Sequence, residues 1–428
     1  MIKDPCLTLF DLTICLSDAA DLVCPALVNH HKQVAFIASC IGSEMGLDED
    51  RRKDLVLAGA VHDMGALSLN ERLETLAFEE NKASEHAEVG YSLLRLFKPF
   101  DRVAEIVRRH HRNWDRNREN QEEDPPVMME SHLIHLADRI AILIDGTREI
   151  LGQADGIKKK ILGEKGKMFQ PDLVDAFIDV ARKEYFWLDA VSPTVYRILR
   201  RETRTKTLTL DLGQLRELAL FFARIIDFRS RFTATHSAGV AATAEALAGL
   251  AGFSKREREY MGIAGLLHDL GKLAVPREIL EKPGKLDKTE FDVIRAHTYH
   301  TYRILDTLDD FDTINTWGAF HHERLKGDGY PFHHTGDVLS LGSRIMCVAD
   351  VFTAVAEDRP YRPGMSRKDV DSVLVSMAKH GSIDADIVAL LRRNLEQVNG
   401  ERLQAQTDSG KMYKAILGPY GTKGKEHD

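Results

Sequence analysis

Thiolate chemistry is sparse in this chain of 428 residues: its five cysteines, Cys6, Cys15, Cys24, Cys40 and Cys347, include no Cys-x-x-Cys pair. An odd number without close spacing excludes a disulfide framework and a thiolate-type structural zinc site, and it predicts reduced thiols in the cytoplasm. Long apolar runs are also missing. None approaches the roughly 20 residues of a membrane helix, and the opening Met1-Ile2-Lys3-Asp4-Pro5 lacks a secretory pattern, so no membrane insertion is predicted. Nor is there an excess of basic charge. Lys plus Arg is 58 against 66 Asp plus Glu, a formal net charge of −8, which argues against a nucleic-acid polymer as partner. Any anionic substrate must be met by a local basic group. Strand-like alternation is absent as well, so the predicted fold class is all-α.

What is present is histidine, and it is ordered. The 18 His include His30, His62, His86 and the pair His110-His111, with Asp63 directly after His62 and Asp138 further on. The same order returns as His236, His268-Asp269, His297, His321-His322 and Asp350. The first gap is 32 residues in both copies (62 − 30 and 268 − 236), and the gap from the isolated His to the His-His pair is 24 in both (110 − 86 and 321 − 297). The other gaps differ slightly, as expected when insertions fall in loops. Local sequence repeats too: Leu57 to Gly65 matches Ile263 to Gly271, Leu136-Ala137-Asp138-Arg139-Ile140 echoes Val348-Ala349-Asp350-Val351-Phe352, and Lys167 to Val174 parallels Gly381 to Val388. Each unit spans roughly 190 residues, too long for a solenoid repeat. The prediction is two tandem helical bundle domains, 1–195 and 205–408, with a flexible tail over 409–428. Within the second, Leu215, Leu218, Phe222, Ile225 and Ile226 fall at helical spacing after an N-cap at Asp211.

Imidazoles and carboxylates mixed in this proportion suit two divalent ions of borderline or hard character, iron or manganese before zinc. Two such ions a few ångströms apart activate a water and clamp both oxygens of an in-line phosphoryl displacement, which is phosphoester hydrolysis. If His268 to Lys272 continue one helix, Lys272 shares the face of His268 and Asp269 and can neutralise a phosphate oxygen.

Residues 236–362 resemble the HD-GYP family, a branch of the HD phosphohydrolases that degrades cyclic dinucleotides. The resemblance is carried by His268-Asp269-Leu270-Gly271-Lys272, by His321-His322-Glu323 leading to Gly329-Tyr330-Pro331, and by Ala349-Asp350-Val351-Phe352 through Asp358-Arg359-Pro360-Tyr361-Arg362. It implies an all-helical HD-type fold and a two-iron or iron–manganese centre on His236, His268, Asp269, His297, His321, His322 and Asp350. It further implies substrate contacts from Lys272, Gly329, Tyr330, Pro331, Arg359 and Arg362. The implied substrate is cyclic di-GMP or the hybrid cyclic GMP-AMP, cut to the linear dinucleotide, the mononucleotide or both. A non-catalytic cyclic-dinucleotide receptor and a generic HD nucleotide phosphohydrolase are the alternatives. Three departures stand out: Phe232 where some relatives place a third-metal Glu, Thr301 in place of Gly, and Lys326 in place of Asp or Asn. His300, His333 and His334 read as surface residues.

The first copy keeps His30, His62, Asp63, His86, His110, His111 and Asp138 as a second candidate metal site. It has Ala66 where the second copy has Lys272, and no Gly-Tyr-Pro follows His111. It therefore reads as a degenerate copy kept for packing or homodimerisation, with metal equipment and no substrate equipment; a sensor of a regulatory ligand or metal is the alternative.

Overall fold

The computed structural model describes residues 6–21, 29–66, 78, 84–115, 127–203, 207–229, 235–282, 284–358 and 363–417. Helix dominates. Two three-residue strands, β1 (Cys6–Thr8) and β2 (Thr207–Thr209), form a two-stranded sheet. They are too short for period-two alternation to register, and the all-α fold class stands.

Two compact units divide the chain, one of Thr8–Leu208 and one of Thr209–Asp428 with Met1–Leu7. The first contains α1 (Leu9–Asp21), α2 (His30–Glu44), α3 (Glu49–Val61), α4 (Ser84–Leu94), α5 (Asp101–Val107), α6 (Met129–Ile142), α7 (Ala154–Gly163), α8 (Pro171–Val180), α9 (Glu184–Ala190) and α10 (Val195–Glu202). The second contains α11 (Leu212–Arg229), α12 (His236–Leu250), α13 (Lys255–Leu267), α14 (Arg277–Leu280), α15 (Lys288–Leu305), α16 (Asp312–Ala319), α17 (Leu341–Ala356), α18 (Arg367–Lys379), α19 (Ala385–Arg393) and α20 (Leu395–Leu417). Helix α10 stays with the first unit, where Tyr196 stacks on Phe10 at 5.6 Å between ring centroids. Residues 409–417 continue α20, so the fraying expected there is not found, and 418–428 lie outside the described residues.

Helix starts follow the capping chemistry in the sequence. Ser254 Oγ accepts from the Glu257 N–H while the Glu257 carboxylate accepts from the Ser254 N–H, and Asp211 and Gln214 do the same at α11. All five apolar residues picked out in α11 are buried.

The repeat is visible in close backbone packing. A Cβ on Gly265 would lie 2.5 Å from Ala241 Cα, and one on Gly59 would lie 2.7 Å from Ala35 Cα. Glycine thus lets α13 press against α12, and α3 against α2, backbone to backbone. A second glycine anchors the turn after each His-Asp pair: a Cβ on Gly271 would meet His297 O at 1.9 Å, and one on Gly65 would meet His86 O at 1.9 Å. Each contact brings the His-Asp turn to the helix that carries the isolated histidine.

Candidate metal centres

In the second unit the seven residues sit at helix ends and on inner faces. His236 opens α12, His268 and Asp269 follow the end of α13, His297 lies within α15, His321 and His322 follow α16, and Asp350 lies within α17. The imidazole Nδ1 atoms of His268, His297 and His321 are 2.7, 2.6 and 2.7 Å from the carbonyl oxygens of Gly265, Ile294 and Gly318, each three residues upstream. With Nδ1–H donating to the carbonyl, the Nε2 lone pair points into the cluster.

Asp269 stands between two groups of nitrogen atoms. Its Oδ2 is 3.2 Å from His268 Nε2, and its Oδ1 is 3.4 Å from His297 Nε2 and 3.9 Å from His321 Nε2. On the first side, Asp350 Oδ1 is 3.2 Å from His236 Nε2 and 3.9 Å from His268 Nε2; on the second, Asp350 Oδ2 is 4.0 Å from His322 Nδ1. His297 Nε2 and His321 Nε2 approach to 3.2 Å. His268 Nε2 and Asp269 Oδ1 are buried without a hydrogen-bond partner. Converging lone pairs of this kind repel one another and forfeit hydration, and a shared divalent cation relieves both costs, so the donor set fits such ions. Candidate sets of three atoms mutually within 4.8 Å are His236, His268, Asp350; His268, Asp269, His321; and His297, His321, His322.

The electrostatics agree. Burial holds His297 and His322 near pKa 3, so both imidazoles are neutral and ready to ligate. Asp269 is kept ionised well below the usual carboxylate range: burial opposes this, and His268 and Lys272 outweigh it. His236 is the exception, raised to about 9, because Glu357 and Asp350 outweigh its burial.

Lys272 reaches the site by a different route from the one expected. Helix α13 ends at Leu267, and residues Leu270–Ala274 form a 3₁₀ turn. Three residues per turn eclipse positions i and i+3, so Lys272 Nζ meets Asp269 Oδ2 at 2.6 Å without a continuous α-helix. Thr301 also has a role that its sequence position did not reveal. Its hydroxyl accepts from the Gly271 N–H at 2.8 Å and donates to His268 O at 3.0 Å, stitching the His-Asp turn to α15. In the first unit Gly90 occupies the corresponding place, four residues after His86.

The Gly-Tyr-Pro loop is folded by buried Glu323, whose carboxylate accepts from the Phe332 and His334 N–H groups at 2.7 and 3.0 Å. Gly329 is required there, since a Cβ would lie 2.4 Å from Arg324 N. The Tyr330 ring lies 5.0 Å from that of His322, with the Arg295 guanidinium 5.0 Å from its centroid, so an aromatic face adjoins the cluster. Lys326 is exposed and its stem runs along Gly381. His334 packs on Phe320 and Phe332. Phe232, Arg359 and Arg362 lie outside the described residues.

The first unit repeats the geometry. His30 Nε2 is 3.0 Å from Asp138 Oδ1, His62 Nε2 is 3.4 Å from Asp63 Oδ2, and Asp63 Oδ1 is 3.3 and 3.5 Å from the Nε2 atoms of His86 and His110. His86 Nε2 and His111 Nε2 are 2.8 Å apart. Nδ1–H bonds to upstream carbonyls recur at His62 and His110. Ala66 is buried in the position of Lys272, and the buried Arg139 side chain pairs with Asp138.

Models of the HD domain match residues 27–143 and 221–387. This chain belongs to the HD-domain family, with one HD domain in each half. HD domains bind divalent metals, in keeping with both clusters. Among its relatives, the 3′3′-cGAMP-specific phosphodiesterase 1 of Vibrio cholerae is 29% identical over 395 residues, which is 90% of this chain and 91% of that protein. The 3′3′-cGAMP-specific phosphodiesterase 3 of the same organism is 32% identical over 67% of this chain, which spans 63% of that relative. A cyclic di-GMP phosphodiesterase of Pseudomonas aeruginosa is 41% identical over 134 residues, 31% of this chain and 32% of its own length. The tandem HD fold also matches the crystal structure of a cyclic GMP-AMP specific phosphodiesterase of V. cholerae, V-cGAP3, with a TM-score of 0.64 and 24% identity over 91% of this chain and 98% of the other. Among the described residues, no helix is long and apolar enough to cross a membrane.

Proposed function

We propose that the second HD domain is a phosphodiesterase that hydrolyses a cyclic dinucleotide, with 3′3′-cGAMP as its preferred substrate. The observation that carries the reading is Asp269, whose two oxygens face separate groups of buried, inward-pointing imidazoles. His236, His268, Asp269 and Asp350 would hold one divalent ion, and Asp269, His297, His321 and His322 the other. Nitrogen and oxygen donors without sulfur favour iron or manganese. Such ions would lower the pKa of a water and offset charge on the phosphate.

The chain's own groups supply the rest. Carbonyl-anchored imidazoles hold the ligand atoms in fixed directions, and Glu357 orients His236 through Nδ1 at 3.0 Å. Lys272, one-fifth exposed beside Asp269, presents an ammonium to a non-bridging phosphate oxygen. Tyr330, backed by Arg295, offers a stacking face for a purine. Arg359 and Arg362 are assigned to substrate phosphate on the resemblance alone. The preference for 3′3′-cGAMP rests on the V. cholerae relative that spans nearly the whole tandem chain, whereas the match to the P. aeruginosa cyclic di-GMP enzyme covers about a third.

The test is incubation of the purified chain with 3′3′-cGAMP, cyclic di-GMP and cyclic di-AMP, anaerobically with Fe(II) and separately with Mn(II). Linear product formed fastest from 3′3′-cGAMP supports the reading. Faster cleavage of cyclic di-GMP overturns the preference, and binding without cleavage under both metals overturns the enzyme.

A further inference from the structure

Glu357, which meets His236 Nδ1 at 3.0 Å, is also held by the C-terminal helix: Gln406 Nε2 of α20 donates to its carboxylate at 3.0 Å. One turn earlier on the same face, Arg402 Nη1 donates to Gln406 Oε1 at 2.5 Å. The other guanidinium nitrogens, Nε and Nη2, donate to Asn399 Oδ1 at 3.0 and 2.9 Å, and the guanidinium carbon lies 5.8 Å from the ring centroid of Phe352, two residues after Asp350. Arg402, His236 and Glu357 are buried, and Gln406 is half-buried between them. Side chains from α20, from the end of α17 and from the start of α12 thus form one hydrogen-bonded relay.

The relay has a single workable polarity. A guanidinium only donates, so Arg402 fixes the Gln406 amide with its oxygen toward the guanidinium and its nitrogen toward Glu357. The ionised carboxylate only accepts, so it takes one hydrogen from that amide and one from His236 Nδ1. Nε2 is then the ring's ligand atom, and it lies 3.2 Å from Asp350 Oδ1.

The backbone is shaped to admit this arrangement. A Cβ on Gly239, three residues after His236 in α12, would lie 2.8 Å from Gln406 Nε2, so glycine leaves the amide its path to Glu357. The matching places in the first unit are Gln33, three residues after His30, and Asp145, seven after Asp138. Asp145 is exposed and accepts from Thr147, so these residues do not repeat the relay.

We propose that Gln406 and Arg402 are positioning residues for His236, acting through Glu357, so that the C-terminal helix α20 sets the divalent-ion affinity of the second HD domain. The proposal rests on His236 being a metal ligand, as read above, and is independent of which substrate is hydrolysed.

Fastening α20 to the bundle and positioning His236 differ in what they predict when substitutions are combined. Mn(II) affinity of the full chain, measured by chelator competition, makes the comparison among wild type, Gln406→Met, Glu357→Ala and the double variant. Any ion of the first domain contributes alike to all four and cancels. Gln406→Met keeps the bulk and removes the amide, and it should weaken Mn(II) binding roughly three- to tenfold, less than the 10–100-fold of a direct partner of a ligating histidine. In the Glu357→Ala background the same change should have no further effect, because the amide has no carboxylate left to hold. Equal losses in both backgrounds, or no loss in either, overturn the proposal. Gly239→Ala, which displaces only the flexible end of Gln406, covers poor folding of Gln406→Met: it should show the same loss and the same silence after Glu357→Ala. His236→Ala separates the proposal from the reading beneath it. Wild-type Mn(II) binding in that variant overturns both, whereas a loss there with none in Gln406→Met or Gly239→Ala overturns the role of α20 alone.

Discussion

His236 Nδ1 and the Glu357 carboxylate form a buried pair, with contacts of 3.0 and 3.1 Å, and Gln406 Nε2 donates to the same carboxylate at 3.0 Å. The pair fixes the ring so that Nε2 faces Asp350. Outer partners of ligating histidines typically contribute 10–100-fold in metal affinity. Glu357→Ala should therefore weaken Mn(II) binding by about that factor, measured by chelator competition, with kcat regained at excess metal and Glu357→Gln intermediate. Unchanged affinity in Glu357→Ala would remove the orienting role.

Lys272 is the residue that most separates the two domains chemically. Lys272→Ala should keep both ions of the second domain and lose roughly 10²–10³ in kcat, the scale for removing one preorganised electrostatic donor. KM should move less. Ala66→Lys should create no activity in the first domain, which lacks a Gly-Tyr-Pro loop. Normal kcat in Lys272→Ala would leave Lys272 as a solvated partner of Asp269.

Gly271 touches His297 O so closely that any side chain must push α15 away. Gly271→Ala should cost about 3 kcal/mol or more, at or beyond the usual range for overpacking, and should widen the Asp269 to His297 spacing. Denaturant unfolding and metal titration check both effects. Gly65→Ala should do the same in the first domain, and a neutral result at either glycine contradicts the packing described.

Much of this was legible in the sequence because the seven ligand-type residues sit at fixed places on repeated helices, so their spacing survived duplication. Other features were not. Glu357 lies past the end of α17 and meets His236 across 121 residues, a contact that no local period encodes. The break between Leu267 and Leu270 accompanies the close approach of Gly271 to His297 O, which helical periodicity does not report. The buried contact of Arg139 with Asp138 has no local sequence signal either. Thr301 read as a departure and proved to be a tie between the His-Asp turn and α15.

Metal-free protein should lose stability on acidification. Burial keeps the folded pKa of His297, His322 and His135 near 3 and that of His132 near 4, against about 6.5 in an unfolded chain. The unfolded chain thus takes up protons first, and stability present above about pH 6.5 falls progressively toward pH 3. His236 and His62 run the other way: Glu357 and Asp350 raise one to about 9, Asp63 and Asp138 raise the other to about 10, and burial is outweighed in both. Their contribution is complete below about pH 6.5 and is lost as pH rises through those values. Urea midpoints in chelator should peak near neutrality; a flat profile from pH 6.5 to 4 contradicts the assignment.

Paired inactivation of the two His-Asp motifs tests the central claim most directly, reading 3′3′-cGAMP hydrolysis and metal content on the same preparations. His268→Ala with Asp269→Ala should lose metal from the second domain and abolish turnover, because Asp269 is the shared carboxylate between the two ligand groups. His62→Ala with Asp63→Ala should retain substantial turnover. Full hydrolysis by the first variant once depleted of metal, or equal loss from both, would contradict a catalytic two-ion centre confined to the second HD domain.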